Sequence, residues 1–194
     1  MEQKTYLKIP LERVGVLIGP KGRVKRRIEN TFGVSLSIDS GSGGVEISVN
    51  PGAKDVSAIF TVRDIVRAIG RGFNPRRAER LADEDFSLLV VDLTDYVGSS
   101  RNALARVKGR IIGKDGRSRE LLEELTESMI SVYGYTVTII GRIESLEVVR
   151  EAILMLVRGA FHKTVWNFLY AYRRKMKKER AELWEEQEPK VDLR

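Results

Sequence analysis

The chain has 194 residues, 42% of them hydrophobic and 31% charged, a globular mixture with room for one large domain or two small ones. It holds no cysteine and one histidine, His162, which excludes disulfides, thiolate zinc sites, iron–sulfur ligation and cysteine nucleophiles. The formal net charge of +7 fits a polyanionic partner or simple solubility, and the placement of the cations has to decide between them.

No apolar run approaches the roughly 18 residues a membrane span needs. The opening "MEQKTYLKIP" lacks the apolar core of a secretory leader. We therefore expect no membrane association and a cytoplasmic location. In chain order, "TYLKIPL" alternates loosely and predicts a strand. "ERVGVLIG" predicts a short apolar helix ending at Gly19. Val24, Ile28 and Phe32 recur at helical spacing after Arg23, and Gly33 closes that helix. "VSLSI" and "VEISV" are alternating strands joined by the polar "DSGSGG". A third helix is expected from Asp55 to Ile69. The order is β-α-α-β-β-α.

The order then recurs. "FSLLVVDL" predicts a strand, "RNALARVKGRIIG" a helix, and Leu121, Leu122 and Leu125 the next helix. "SMISVY" and "TVTII" flank a tight "YGY" turn, and Leu146 to Leu156 close the unit. Between the copies, "GRGFNPRRAERLADEDF" predicts a polar connector with one short helix from Pro75. Past Gly159, Val165, Phe168, Leu169, Tyr172 and Met176 mark an amphipathic helix. That helix carries the basic "RRKMKKER" and turns acidic at "EEQE". Packing on the second unit with solvated charges, partner docking and RNA tracking all remain open for it.

The two copies align with Gly19 on Gly113. Gly15 then falls on Gly109, Leu17-Ile18 on Ile111-Ile112, Gly22 on Gly116, Arg23 on Arg117, Ile28 on Leu122 and Glu29 on Glu123. A lone G-x-x-G is weak, as "GSGG" at Gly41 illustrates, but two copies with matching flanks identify a repeated module. Glycines permit a tight turn and close backbone approach. The helix that follows offers unpaired N–H groups and a partial positive charge, where a phosphate fits. The candidate phosphate-binding residues are Gly19, Pro20, Lys21, Gly22, Arg23, Lys25 and Arg26 in the first copy. In the second they are Arg110, Gly113, Lys114, Asp115, Gly116, Arg117 and Arg119, with Arg27 extending the first copy's positive surface. Asp115 weakens the second field, and a helix-capping role would account for it without a ligand.

Nucleotide hydrolysis is excluded by spacing. "GRIIGKD" has three residues between its glycines where a Walker loop has four, and Asp115 stands where a hydroxyl should be. The dinucleotide pattern G-x-G-x-x-G is absent. His162 reads as a cap or packed residue, "DEDF" and "LEEL" as solvated faces, and Trp166 and Trp184 as packing or docking residues. We expect no catalytic residue, no metal site and no cofactor.

A β-α-α-β-β-α module with an apolar pair before G-x-x-G resembles the KH domain, carried here by "VLIGPKGRVKRRIENTFGVSLSI" and "RIIGKDGRSRELLEELTESMISV". "RIIGKDGRSR", with "VYGYTVTIIG" and "RGAFHKTVWNFL" after it, is similar to the second KH domain of the archaeal Dim or partner-of-Nob (Pno) ribosome-biogenesis family. The resemblance spans about Leu7 to Leu169. It implies an α+β fold of two tandem type I KH domains: residues 1–83 with the connector, 84–160, and a basic C-terminal helix and tail at 161–194. It further implies a single-stranded RNA-binding protein acting at the 3′ region of small-subunit rRNA in pre-rRNA processing, each loop clamping about four nucleotides. Expected partners are a Nob-type endonuclease and the alpha subunit of translation initiation factor two. The alternative is an adaptor that docks such proteins, with RNA binding incidental. Family logic places bases against Val14, Leu17, Ile18, Ile28 and Ser37 in the first copy and Ile111, Ile112, Leu122 and Ser131 in the second. Eukaryotic relatives usually lack the first glycine loop, whereas "GPKG" is intact here.

Overall fold

The computed structural model describes residues 4–50 and 57–187. The first unit runs β1 (Lys4–Lys8), α1 (Leu11–Ile18), α2 (Arg23–Phe32), β2 (Val34–Ile38), β3 (Gly44–Val49) and α3 (Ala58–Gly70). Its sheet is antiparallel with β3 central, in the order β1-β3-β2. Alternation puts Val34, Leu36, Val45 and Ile47 on the buried face. There they meet Leu17, Ile28, Ile65 and Ile69 of the helices. The expected start of the third helix at Asp55 and Val56 lies outside the described residues.

The second unit repeats this with β4 (Phe86–Asp92), α6 (Arg101–Ile112), α7 (Arg117–Thr126), β5 (Met129–Tyr133), β6 (Thr136–Arg142) and α8 (Ile143–Val157). Its sheet order, β4-β6-β5, matches the first. A one-turn helix, α5 (Thr94–Val97), has no counterpart in our sequence reading. It is set by Asp92, whose carboxylate accepts from the N–H and hydroxyl of Thr94 at 2.8 and 2.6 Å. The final helix, α9 (His162–Gln187), seats Val165 and Leu169 fully in the second core. The side chains of Trp184 and of the acidic run Glu185–Glu188 are outside the described residues.

The connector is not merely polar. It forms α4 (Pro75–Ala78) followed by a 3₁₀ turn (Glu79–Ala82), capped where Asn74 accepts from the Arg76 N–H at 3.0 Å. Phe73, Pro75, Ala78 and Leu81 are buried among its arginines. Four scattered apolar residues in a charged segment give little periodic signal, yet Phe73, Ala78 and Leu81 belong to the first core.

The two units are packed together. Phe86, Leu88, Met129 and Ile140 point from the outer face of the second sheet into the first core, while Leu89, Val91, Ile130 and Ile139 point into the second. This sheet therefore has protein on both faces, which explains why β6 is buried from Thr136 to Gly141.

Candidate nucleic-acid interface

Each G-x-x-G segment is a tight turn between two helices, and the two turns share one backbone shape. Gly19 and Gly113 have φ/ψ of 71°/173° and 72°/179°. Lys21 and Asp115 both lie in the left-handed region at φ 52° and 54°, and Gly22 and Gly116 follow at φ 72° and 81°. The first glycine of each turn has no substitute. A Cβ at Gly19 would overlap the side chain of Val24, and one at Gly113 would stand 2.5 Å from Ser118 Cβ. Each turn is tied to the helix before it by Gly19 N–H to Gly15 O at 2.9 Å and Gly113 N–H to Gly109 O at 2.8 Å, and is closed by Gly22 N–H to Gly19 O at 3.1 Å and Gly116 N–H to Gly113 O at 3.3 Å.

Behind each turn a helix starts without a side-chain cap, α2 at Arg23 and α7 at Arg117. The first N–H of each helix is taken by the turn itself, Arg23 N–H by Pro20 O and Arg117 N–H by Lys114 O. No capping side chain among the described residues accepts from the N–H groups that follow, where an outside anion fits. Asp115 forms no capping bond among the described residues; it occupies a left-handed position that Asp tolerates. Lys21, Arg23, Lys114 and Arg117 are exposed, and among the described residues no carboxylate pairs with any of them. Pro20 is exposed at the tip of the first turn.

The flanking cations divide. Lys25 stands 3.8 Å from Glu29 on its own helix. Arg26 folds back on the turn, its guanidinium donating to the carbonyls of Lys21 at 2.5 Å and Gly22 at 3.4 Å. It braces the loop. Arg27 pairs with Glu79 of the connector. Arg119 is half-buried beside Gly116, and its Nε is buried without a hydrogen-bond partner among the described residues.

Arg110 departs from expectation. Its guanidinium donates to Leu156 O at 3.1 Å and to Ala160 O, pinning the C-terminal end of α8. Its own carbonyl contacts Ser118 Oγ at 3.2 Å and His162 Nε2 at 2.9 Å. Arg13 does the same work in the first unit, donating to Ile69 O at 2.8 Å and Phe73 O at 2.6 Å at the end of α3. Arg13 was not singled out from the sequence, because it stands six residues before Gly19 while Arg110 stands three before Gly113. Another paired device was aligned without its role being visible. Glu29 accepts from Leu36 N–H at 2.8 Å and Glu123 from Ile130 N–H at 2.5 Å, each fixing an edge strand to the helix behind its turn.

The expected base-contacting walls are mostly core. Val14, Leu17, Ile28, Ile111 and Leu122 are buried, leaving Ile18 and Ile112 half-exposed next to the turns. Ser37 lies on the outer, exposed face of its sheet. Ser131 is taken by the domain interface, its hydroxyl donating to Arg71 O at 3.0 Å. Both fall on the strand face turned away from the helices, a parity that an unanchored strand register does not disclose. His162 is held by Arg110 and stacks obliquely on Trp166 at 5.8 Å, as a packed residue would. Among the described residues, no cluster of acidic or histidine side chains is arranged to hold a metal ion, and no helix is long and apolar enough to cross a membrane.

Comparisons with known proteins agree with this geometry. A KH domain family model matches residues 4–58, and the model of the second PNO1 KH domain, a eukaryotic type KH-domain (KH-domain type I), matches residues 87–174. A KH domain-containing protein of Methanocaldococcus jannaschii is 51% identical over 178 residues, 92% of this chain and 78% of the relative. The pre-rRNA-processing protein pno1 of Aspergillus fumigatus is 30% identical over 135 residues, and the match spans 69% of this chain but only 54% of the fungal protein. A crystal structure of a complex of a/eIF2alpha, aDim2p and rRNA from Pyrococcus horikoshii superposes with a TM-score of 0.85 at 43% identity, covering 90% of this chain and 96% of the other. A protein of unknown function from Aeropyrum pernix superposes with a TM-score of 0.91 at 38% identity, over 96% of this chain and 100% of the other. Two type I KH units, both glycine turns and near-complete overlap with the archaeal proteins place the chain in the two-KH-domain Dim2/PNO1 family.

Proposed function

We propose that this chain binds single-stranded RNA in the 3′ region of small-subunit rRNA and serves pre-rRNA processing and ribosome biogenesis in the cytoplasm. It holds RNA and does not cut it. The observation that carries this reading is the pair of G-x-x-G turns with one shared backbone, each opening on an uncapped helix start. Phosphates sit at those helix starts, held by peptide N–H groups and by Lys21 and Arg23 in one unit and Lys114 and Arg117 in the other. Gly19, Pro20, Gly22, Gly113, Asp115 and Gly116 shape the turns, Lys25 and Arg119 lie beside the strand's path, and Arg26 is a brace. Arg110 drops out of the binding set. Ile18 and Ile112, half-exposed next to the turns, are where bases would meet each groove.

The Pyrococcus horikoshii relative was crystallised with a/eIF2alpha and rRNA, and we extend both partners to this chain. A Nob-type endonuclease is the partner that would do the cutting. The decisive variant combines Lys21→Asp with Lys114→Asp. Lys21→Asp gives the first turn the residue type that Asp115 already supplies at the same φ, so the fold should survive. The expected result is at least a tenfold loss of affinity for rRNA 3′-end oligonucleotides, with the thermal transition unchanged. Affinity equal to wild type would show the site assignment to be wrong, and cleavage of labelled RNA with magnesium would overturn the non-catalytic reading.

A further inference from the structure

We propose that α9 carries a second RNA contact outside both glycine turns, a track formed by Lys163, Asn167, Tyr170, Arg174 and Lys177. It rests on the RNA-binding reading above. The alternating steps of four and three residues place these five side chains on one stripe of the helix, and all five are exposed. The opposite stripe is committed to packing, with Val165 and Leu169 buried and Phe168 against the second core, and Trp166 packs there along the track's edge.

Among the described side chains, the other lysines and arginines of the helix are already partnered. Arg173 reaches Glu124 at 3.4 Å, Lys175 reaches Glu179 at 3.6 Å, and Lys178 reaches Glu182 at 3.6 Å. Among the described residues no carboxylate pairs with Lys163, Arg174 or Lys177. Glu127 and Glu144 line a separate hollow that Lys177 also borders, and Glu124 and Glu179 are the carboxylates held by Arg173 and Lys175 beside the track. Asn167, Tyr170, Arg174 and Lys177, together with Arg173, enclose a shallow open depression on the helix surface. Cations without counter-ions, next to an exposed aromatic ring and an amide, are the chemistry of a nucleic-acid strand, whose phosphates need the first and whose bases stack on the second.

Position supports the same occupant. His162, the first residue of α9, contacts the carbonyl of Arg110, one turn before Gly113. Arg173 is level with Glu124 near the far end of α7. The helix thus starts at the second glycine turn and runs alongside α7 away from it. Lys163 to Lys177 extends the cationic surface by about 21 Å at 1.5 Å per residue, so RNA leaving the second turn has a path along it.

The test compares wild type with Arg174→Glu/Lys177→Glu and with Tyr170→Ala against two RNAs. One is an oligonucleotide of about four nucleotides, the length one KH groove holds, and the other carries roughly ten more on each side. For the charge-reversed variant we expect short-RNA affinity within about twofold of wild type. Long-RNA affinity should fall about tenfold, with a salt slope shallower by about 1.4 for two lost phosphate contacts on a single strand. Tyr170→Ala should weaken only the long RNA, about fivefold. Unchanged long-RNA binding overturns the track, as does equal weakening of both RNAs, which would mark a general field effect. Loss of an acidic protein partner with RNA binding intact would reassign the stripe to protein docking and overturn the track. If wild type binds neither RNA, the RNA-binding reading itself falls.

Discussion

Gly19 and Gly113 sit in a backbone region essentially closed to other residues, with a neighbouring residue where a Cβ would go. Gly15 and Gly109, one turn earlier, lie in ordinary helix with open space around them. Alanine should therefore act oppositely at the two sites. Gly113→Ala should destabilise by about 1–3 kcal/mol, whereas Gly109→Ala should stabilise by about 0.4–1 kcal/mol. Urea denaturation of both variants checks this, and shifts of the same sign would refute the assignment of the turn. Tyr133 gives a pH-dependent counterpart. Burial, and then its hydrogen bond to the Glu12 carboxylate, raise the phenol above its ordinary value of 10.0. A raised folded-state pKa means the contribution is complete below about pH 10 and is lost as pH climbs through the folded value. Between pH 9 and 12, Tyr133→Phe should lose stability less steeply than wild type; parallel melting-temperature curves would mean the bond contributes nothing.

At the scale of elements, the two arginine clips hold the last helix of each unit against the first. Each donates to two carbonyls, and a charged hydrogen bond of this kind is worth roughly 1.5–3 kcal/mol. Arg13→Ala and Arg110→Ala should each lower stability by about that much, yet leave the salt slope of RNA binding unchanged, because neither guanidinium is free for a phosphate. A reduced slope for Arg110→Ala would return that residue to the interface. The elements themselves were legible in the sequence, because helical spacing, strand alternation and the repeat of Gly15 to Glu29 at Gly109 to Glu123 are local patterns. The turn positions of the site were legible for the same reason. What could not be read was side-chain direction. Arg110 and Lys114 are both cations near one glycine, and only the packed end of α8 shows that one is already engaged. Ser131 and Ile130 are neighbours on one strand, and only the docked first unit shows which faces it. The connector's short helix from Pro75 was legible, but its buried residues were not, because they are spread among arginines whose guanidinia lie over rings, Arg77 on Phe73 and Arg80 on Phe86 at 5.7 and 4.6 Å.

Across the whole molecule, the two KH units form one body through a shared layer. The polar contacts there are minor. Arg77–Glu123, at 2.5 Å and partly exposed, is worth about 0.2–1 kcal/mol. Burying a residue such as Ile140 is worth about 1.5–3 kcal/mol, so apolar packing dominates. Gly72 is the close point of the interface, at φ 99° with Ser131 Oγ and Tyr133 Cβ 2.6 and 2.8 Å from where a Cβ would be. Gly72→Val should split a single thermal transition into two in calorimetry; one sharp transition at the wild-type temperature would contradict a shared layer. A rigid pair of turns also sets how RNA is held. The first turn, with Lys21 and Arg23 at its mouth and Lys25 behind, carries more positive charge than the second, which Asp115 offsets. The central claim, that both turns clamp one strand unequally, is tested by titrating rRNA 3′-end RNA across a range of salt with Lys21→Asp/Arg23→Glu, with Lys114→Asp/Arg117→Glu, and with both sets together. Each variant should flatten the salt slope, the first by more, and the combined variant should flatten it further than either. A combined variant with the affinity and slope of wild type would contradict the claim.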